Sequence, residues 1–229
     1  MKLARPDVRH PRIVLAGSRS VDDDDDDEGL VAALRKRGLH ARWMCWDDPA
    51  TLNADLVVLR TTRDYSDRLD EFLVWTKRVS NLLNAAPVIE WNVDKRYLRD
   101  LQRAGVPTVT AAPERDTTAL VFLGGMQSHA FSGNEPVDAD FELWDVGRGA
   151  LRAAADKLGI EAAELLCARA DVTGGADDAR LVRLDLVAPS LGWRLLDEAT
   201  RGDQQRQFAL CVESALEWRG LGPLSHRRP

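Results

Sequence analysis

Short apolar runs alternate with helical patterns along the first half of the chain, and this alternation limits the folds that it can adopt. The run RIVLAG at residues 12–17 predicts a strand buried on both faces, because it is apolar without interruption. Strands that alternate with helices form βαβ units around a parallel sheet. We therefore predict an α/β domain over residues 12–112, after a flexible tail at residues 1–11. The predicted strands are residues 12–17, 41–46, 55–60 and 88–91, and the predicted helices cover residues 21–38, 67–83 and 92–105.

The second half of the chain has a different pattern, which predicts an α+β unit over residues 113–220 and a tail at residues 221–229. The stretch ALVFLGGMQSHAFS is typical of a β-hairpin that turns at Gly124 and Gly125. Two further apolar stretches are joined by a polar turn and predict another strand pair. The remaining predicted elements are strands at residues 165–172 and 179–187, and helices at residues 147–159 and 203–218.

Composition excludes several classes of partner. The formal net charge is −6 and the arginines form no basic stripe, so we expect no nucleic-acid partner and no membrane partner. No apolar stretch reaches the length that spans a bilayer. Three cysteines without CxxC spacing indicate reduced thiols in a cytoplasmic protein.

The stretch RTTRDYSDR follows the predicted strand at residues 55–60, where ligands of open α/β sheets bind. Arg60, Asp64 and Tyr65 are therefore candidate substrate-binding residues, since an arginine fork suits a carboxylate or a phosphate. A salt-bridged loop explains the same residues equally well.

Asp171 and Asp185 are the candidate metal ligands. Each lies in a predicted strand of the second pair, and we expect the two carboxylates to face each other as an Mg²⁺ site. The alternative is that both occupy the polar face of their strands, and Arg183 on that face opposes a cation. We interpret the acidic run at residues 22–28 as a solvated helix start rather than a calcium loop, and His129 as structural.

Several longer motifs resemble one known family. The stretches LLNAAPVIEWNVDKRYLRDLQRAGVPTV, LVFLGGMQSHAF, CARADV and LDLVAPSL follow one another as they do in actinobacterial ATP-grasp proteins of the carboxylate–amine ligase type. Glutathione synthetase and the cycloserine cyclo-ligase are relatives of that type. The resemblance runs from about Trp46 to Leu191. It implies a pre-ATP-grasp-like α/β domain followed by an ATP-grasp-like C-terminal lobe.

The resemblance also implies a chemistry. Members of the family bind ATP and Mg²⁺, activate a carboxylate as an acyl phosphate and transfer it to an amine. Lys95 matches a nucleotide-contacting lysine, and Asp171 matches a magnesium-holding aspartate. The closing motif departs from the pattern, because Arg183 occupies an acidic position and Ala188 stands where relatives often have Glu. Relatives also carry a nucleotide-covering lobe where this chain has only TAAPERDTT at residues 110–118.

Three hypotheses follow. The first is a truncated, catalytically degenerate ATP-grasp protein that retains a cleft for a small carboxylate, an amino-acid-like ligand or a nucleotide. The second is an active ATP- and Mg²⁺-dependent ligase with a shortened clamp. The third is a structural protein that forms a homo-oligomer or pairs with an intact homologue, because loss of a lobe exposes apolar surface.

Overall fold

The computed structural model describes residues 10–18, 25–109 and 117–222, and the chain divides into two compact units. The first unit comprises Met1–Leu83 together with Gln205–Pro229, and the second comprises Asn84–Gln204. The boundary expected between residues 112 and 113 thus lies inside the second unit. The short join at residues 110–116 and most of both expected tails lie outside the described residues.

The first unit is built on a four-stranded parallel sheet with the order β2-β1-β3-β4, which confirms the predicted parallel sheet. Its central strands are apolar on both faces, as the uninterrupted runs indicate, and Ile13, Leu15 and Leu56 have no exposed surface. The strands are β1 (Arg12–Gly17), β2 (His40–Cys45), β3 (Leu56–Leu59) and β4 (Leu82–Leu83).

Helices α1 (Leu30–Lys36) and α2 (Leu69–Arg78) belong to this unit. The predicted helix at residues 67–83 is too long, because Leu82 and Leu83 form β4 and pair with β3. Their apolar character continues the helical period of α2, so the sequence pattern alone does not separate the two elements.

The last helix, α6 (Glu198–Trp218), begins in the second unit and contributes its larger part to the first. Within the first unit, Arg37 forms an ion pair with Glu213. The side-chain amide of Gln205 donates a hydrogen bond to the backbone oxygen of Glu28 at 2.5 Å. The unit that contains the parallel sheet is therefore assembled from two stretches that are distant in sequence.

The second unit contains a five-stranded antiparallel sheet with the order β7-β6-β5-β8-β9. Strands β5 and β6 form the predicted hairpin, and Gly124 and Gly125 both have positive φ (56° and 75°), as its two-residue turn requires. The strands are β5 (Thr117–Leu123), β6 (Met126–Ser132), β7 (Glu135–Val137), β8 (Cys167–Thr173) and β9 (Arg180–Asp185).

Three helices, α3 (Ala86–Val93), α4 (Tyr97–Arg103) and α5 (Phe141–Leu158), lie in the same unit, and residues from all three share one apolar core with the sheet. The predicted strand at residues 88–91 is wrong, since these residues lie in α3. A four-residue apolar run suits a buried helix as well as a strand, and Pro87 is placed in the first helical turn, where it is tolerated. No helix in the described ranges is both long and apolar enough to cross a membrane.

Candidate functional site

Arg60, at the end of β3, is engaged by a carboxylate of its own unit. Its Nε and Nη2 atoms donate to Asp27 Oδ1 at 3.0 and 2.6 Å, and the two residues are only 3% and 4% exposed. Asp27 belongs to the acidic run that we expected to be solvated, so for this residue that expectation is wrong. A buried ion pair of this kind is costly to break, because either partner alone is left as an uncompensated charge.

Asp64 and Tyr65 lie close by and also make contacts within the first unit. Asp64 Oδ1 accepts a hydrogen bond from Trp46 Nε1 at 3.0 Å, and the Tyr65 ring lies 5.0 Å from the Phe72 ring. These contacts are more typical of a loop held by interactions within its own unit, the alternative given above, than of an open ligand site. That Arg60, Asp64 and Tyr65 bind a substrate stays a prediction.

Lys95 lies in the exposed turn between α3 and α4 of the second unit. Its neighbours Asp94 and Arg96 form an exposed ion pair at 2.5 Å, and the hydrogen bond from Arg96 lowers the pKa of Asp94. A nucleotide-binding role of Lys95 remains an expectation from the resemblance.

The two candidate metal ligands lie on β8 and β9, but they are not direct cross-strand partners. Asp171 is paired with Arg183, and Asp185 is paired with Arg169. The two carboxylates are therefore diagonal neighbours across the strand pair. The pairing shifts by one residue next to Asp171, because β9 contains one extra residue at this point. This β-bulge determines which side chains of β8 and β9 lie opposite each other.

Both oxygens of Asp171 accept hydrogen bonds from arginines. Arg169 Nε donates to Oδ1 at 2.6 Å, and Arg183 Nε donates to Oδ2 at 3.1 Å. The side chain of Asp171 is 10% exposed, whereas that of Arg183 is 51% exposed. We call these three residues together with Asp185 the arginine–aspartate cluster.

Arg183 in this cluster is held as a cation. Burial by itself would lower the pKa of Arg183, but the nearby carboxylates of Asp171 and Asp185 raise it above its usual value. Arg169 lies over the Phe131 ring, with 5.0 Å between the guanidinium carbon and the ring centre. Next to this cluster, the Tyr97 hydroxyl accepts a hydrogen bond from the Leu184 backbone nitrogen, and burial raises the pKa of Tyr97.

These residues do not fit a magnesium ion. The oxygen atoms of Asp171 that would coordinate the metal face two guanidinium groups, and Asp185 Oδ1 accepts the backbone N–H of Val187 at 3.1 Å. A divalent cation beside Arg183 would meet strong repulsion. Nowhere in the residues that the structure describes do three or more His, Cys, Asp or Glu side chains form a metal-binding group.

The contacts of His129 agree with the structural role that its isolation in the sequence indicates. Its Nε2 lies 2.5 Å from the backbone oxygen of Leu191, and its Nδ1 lies 2.8 Å from Ser128 Oγ. The contact with Leu191 connects β6 with the segment that follows β9. Arg169 was not singled out in the sequence, although it stands two residues before Asp171 and therefore on the same face of the strand.

Comparison with known proteins finds a family match in the first part of the chain. Residues 13–84 match the family described as the N-terminal domain of the D-cycloserine synthetase DcsG. Over 100 residues the chain is 36% identical to the cycloserine biosynthesis protein DcsG of Streptomyces lavendulae, a match that covers 40% of this chain and 33% of that protein. The matched stretch thus spans one third of the relative's length.

Two solved structures extend the likeness to most of the chain. The crystal structure of D-cycloserine synthetase DcsG superposes with a TM-score of 0.76 at 22% identity, covering 88% of this chain and 98% of the synthetase. The chain therefore shares the fold of this synthetase. An ATP-grasp ligase, PsnB, complexed with a phosphomimetic precursor variant, Mg and ADP, superposes with a TM-score of 0.56 at 13% identity, over 90% of this chain and 99% of PsnB.

The ATP-grasp resemblance inferred from the sequence motifs is therefore confirmed, as is the mixed α/β fold with one parallel and one antiparallel sheet. The arginine–aspartate cluster is carried by the antiparallel sheet of the second unit.

Proposed function

We propose that this chain is a catalytically degenerate ATP-grasp protein that does not carry out magnesium-dependent ligation. The observation that supports this proposal most directly is the engagement of both Asp171 oxygens by Arg169 and Arg183. Phosphoryl transfer depends on positioning and on neutralisation of the phosphate charge by metal ions. A cluster that does not fit the metal cannot supply that neutralisation in the usual way.

The length of the chain supports the same proposal. The 100 matched residues are 33% of the curated relative, which makes that protein about 300 residues long, compared with 229 residues here. We infer that part of this difference in length is internal. An internal deletion agrees with the short join at residues 110–118, where the resemblance expects a nucleotide-covering lobe.

We infer that the chain acts in the cytoplasm and that its ligand is a small carboxylate or an amino-acid-like molecule. The three free thiols of Cys45, Cys167 and Cys211 support a reducing compartment. Two printed descriptions support that ligand class: a cycloserine biosynthesis protein, and an ATP-grasp ligase complexed with a variant of its minimal precursor. We also infer that the chain associates as a homo-oligomer or with an intact homologue. Light scattering, which measures the mass of the particles in solution, tests this inference.

The decisive test is titration with ATP and Mg²⁺, followed by calorimetry and by release of inorganic phosphate. We expect no magnesium-dependent ATP hydrolysis in the wild-type protein. We also expect the Arg183→Glu variant to bind Mg²⁺ where the wild type does not, because it adds a third carboxylate beside Asp171 and Asp185. Arg180→Glu, which makes the same charge change on an exposed residue of β9, is the matched control.

The competing hypothesis is an active ligase with a shortened clamp, in which Lys95, Asp171 and Asp185 function as the resemblance implies. It requires that Lys95→Ala and Asp185→Asn each abolish a magnesium-dependent activity of the wild type. Detection of that activity, with its loss in both variants, would replace our proposal.

A further inference from the structure

We propose that the groove between α4 and α5 of the second unit binds an acidic α-amino acid, a molecule with two carboxylates and one ammonium group. The groove has a volume of about 670 Å³, and small-molecule sites occupy roughly 300–1,000 Å³. The residues that line it all belong to the second unit. None of these lining residues belongs to the arginine–aspartate cluster or to the stretch around Arg60, so the inference goes beyond the proposed function.

Gly149 of α5 lines this groove, and packing does not explain why it is a glycine. On the same helix, a Cβ atom at Gly147 would lie 2.9 Å from Cζ of Phe122, so the core requires a glycine there. A Cβ atom at Gly149 would meet no atom of the described neighbouring residues within 4 Å. Glycine destabilises the interior of a helix, but it allows a ligand to approach the backbone closely. Gly149 therefore marks the groove as a place for a ligand.

Three charged side chains of the groove are available to that ligand. Arg152 and Asp156 stand four residues apart on α5, the spacing of a helical ion pair, yet neither side chain has a hydrogen bond or an ion pair within the described ranges. Arg103 of α4 is 79% exposed and lies 3.8 Å from Asp100 in a loose ion pair. The two guanidinium groups thus retain N–H donors, and the Asp156 carboxylate retains its acceptors.

The other two charges of the groove neutralise each other. Lys157 Nζ lies 3.4 Å from Asp100 Oδ2, and this ion pair joins α5 to α4. The charges that remain are two cations, Arg103 and Arg152, and one anion, Asp156. Because complementary charges determine specificity, the matching ligand has two anionic groups and one cationic group. An acidic α-amino acid has this set of charges, and arginine forks suit its carboxylates.

Three probes that differ in their charged groups test this match. We would titrate the full chain with L-glutamate, with glutarate, which lacks the ammonium group, and with L-glutamine, which lacks the second carboxylate. Calorimetry in a buffer of low ionic strength, with probe concentrations up to about 10 mM, suits a site of exposed charges that binds at about millimolar affinity. We expect glutamate to bind at least about fivefold more tightly than either other probe, because each of them leaves a charge of the groove without a partner.

Variants of the groove assign each charge to one group of the ligand. Arg152→Gln should weaken glutamate binding about fivefold to tenfold, since a charge-assisted hydrogen bond is lost. Asp156→Asn should remove the preference for glutamate over glutarate, because only glutamate offers an ammonium group to this carboxylate. Gly149→Ala should raise the melting temperature, since alanine favours a helix, and weaken binding, since its methyl group enters the groove. A loss of binding in this variant therefore does not come from unfolding.

Arg206→Gln is the matched control, because it removes the same charge from an exposed position of α6 in the first unit and should leave glutamate binding unchanged. The proposal is overturned if glutamate does not bind, if glutarate binds to the wild type as tightly as glutamate does, or if Arg152→Gln and Arg206→Gln bind glutamate alike. These titrations contain neither ATP nor magnesium. Their outcome is therefore separate from that of the proposed function, which is tested by magnesium-dependent ATP hydrolysis.

Discussion

Asn84 shows how much of the second unit depends on one buried amide. Its Nδ2 donates to the backbone oxygens of Cys167 and Leu186 at 2.8 and 2.6 Å, and its Oδ1 accepts the Leu166 backbone N–H at 2.8 Å. The residue is 4% exposed, so water does not readily replace these bonds. Asn84 therefore joins the residues before β8 to those after β9.

We expect Asn84→Ala to lower the free energy of unfolding by about 3 kcal/mol, because three buried backbone groups lose their partner. Asn134→Ala removes the same side chain from an exposed position and is expected to change stability by less than about 0.5 kcal/mol. Urea denaturation of the two variants measures the difference. Equal stability of both would mean that other groups take over the bonds of Asn84.

At the residue scale, the sequence identified three residues of the arginine–aspartate cluster but not how they pair across the two strands. Asp171, Asp185 and Arg183 were all singled out, since their alternation on apolar strands places them on one polar face. Their pairing depends on the bulge in β9, and a shift of one residue exchanges every cross-strand partner. No local sequence pattern predicts such a bulge. We expected the two carboxylates to face each other, whereas in the structure each aspartate faces an arginine.

At the scale of elements, the turn between β5 and β6 is fixed by close approach as well as by backbone conformation. Gly125 has φ of 75°, and a Cβ atom there would lie 2.8 Å from the backbone oxygen of Ala162. Gly133 also has positive φ, 58°, but a Cβ atom there would meet nothing within 4 Å. The two glycines thus separate the cost of the backbone conformation from the cost of the collision.

We expect Gly133→Ala to destabilise the protein by about 1 kcal/mol, the usual cost of a left-handed conformation for an L-residue. Gly125→Ala should cost about 1–3 kcal/mol more, because the Ala162 backbone must also move. Thermal unfolding of both variants tests this order. If Gly133→Ala were the more damaging change, the contact with Ala162 would have no energetic role.

Elements with strong, uninterrupted patterns were predicted from the sequence, whereas short apolar stretches were not. The parallel strands β1 and β3 and the Gly124–Gly125 hairpin follow from continuous apolar runs and from a two-glycine turn. The helical structure of residues 88–91 could not be predicted in this way, because a run of four residues is too short to show a helical or a strand period. Asn92, the first residue of the predicted helix at residues 92–105, lies in α3, and its side-chain amide donates to the Leu184 backbone oxygen at 2.9 Å.

At the scale of the whole molecule, the division of the chain makes a prediction about its C-terminal helix. A chain that ends at residue 204 lacks all of Gln205–Pro229, which the first unit includes. Buried residues of α6 such as Phe208, Val212 and Leu216 would then be missing from that unit. We expect the backbone amides of β1 and β3 to lose most of their protection from hydrogen exchange.

A chain that ends at residue 222 retains all of α6 and is the control, with exchange rates that match those of the full protein. Exchange measured by mass spectrometry on peptides from β1 and β3 distinguishes the two truncations. Unchanged protection in the shorter chain would show that the parallel sheet is stable without the helix.

The separation of the first unit into two stretches of sequence has a consequence for how the protein is made. A ribosome releases the strands of the parallel sheet first and the residues of α6 that belong with them last. The second unit is continuous, so all of its residues leave the ribosome before the first unit has its full set. Domains generally fold as their residues emerge. In this protein we expect the order to be reversed: the unit encoded first is completed last, and until then its apolar strands depend on chaperones for protection.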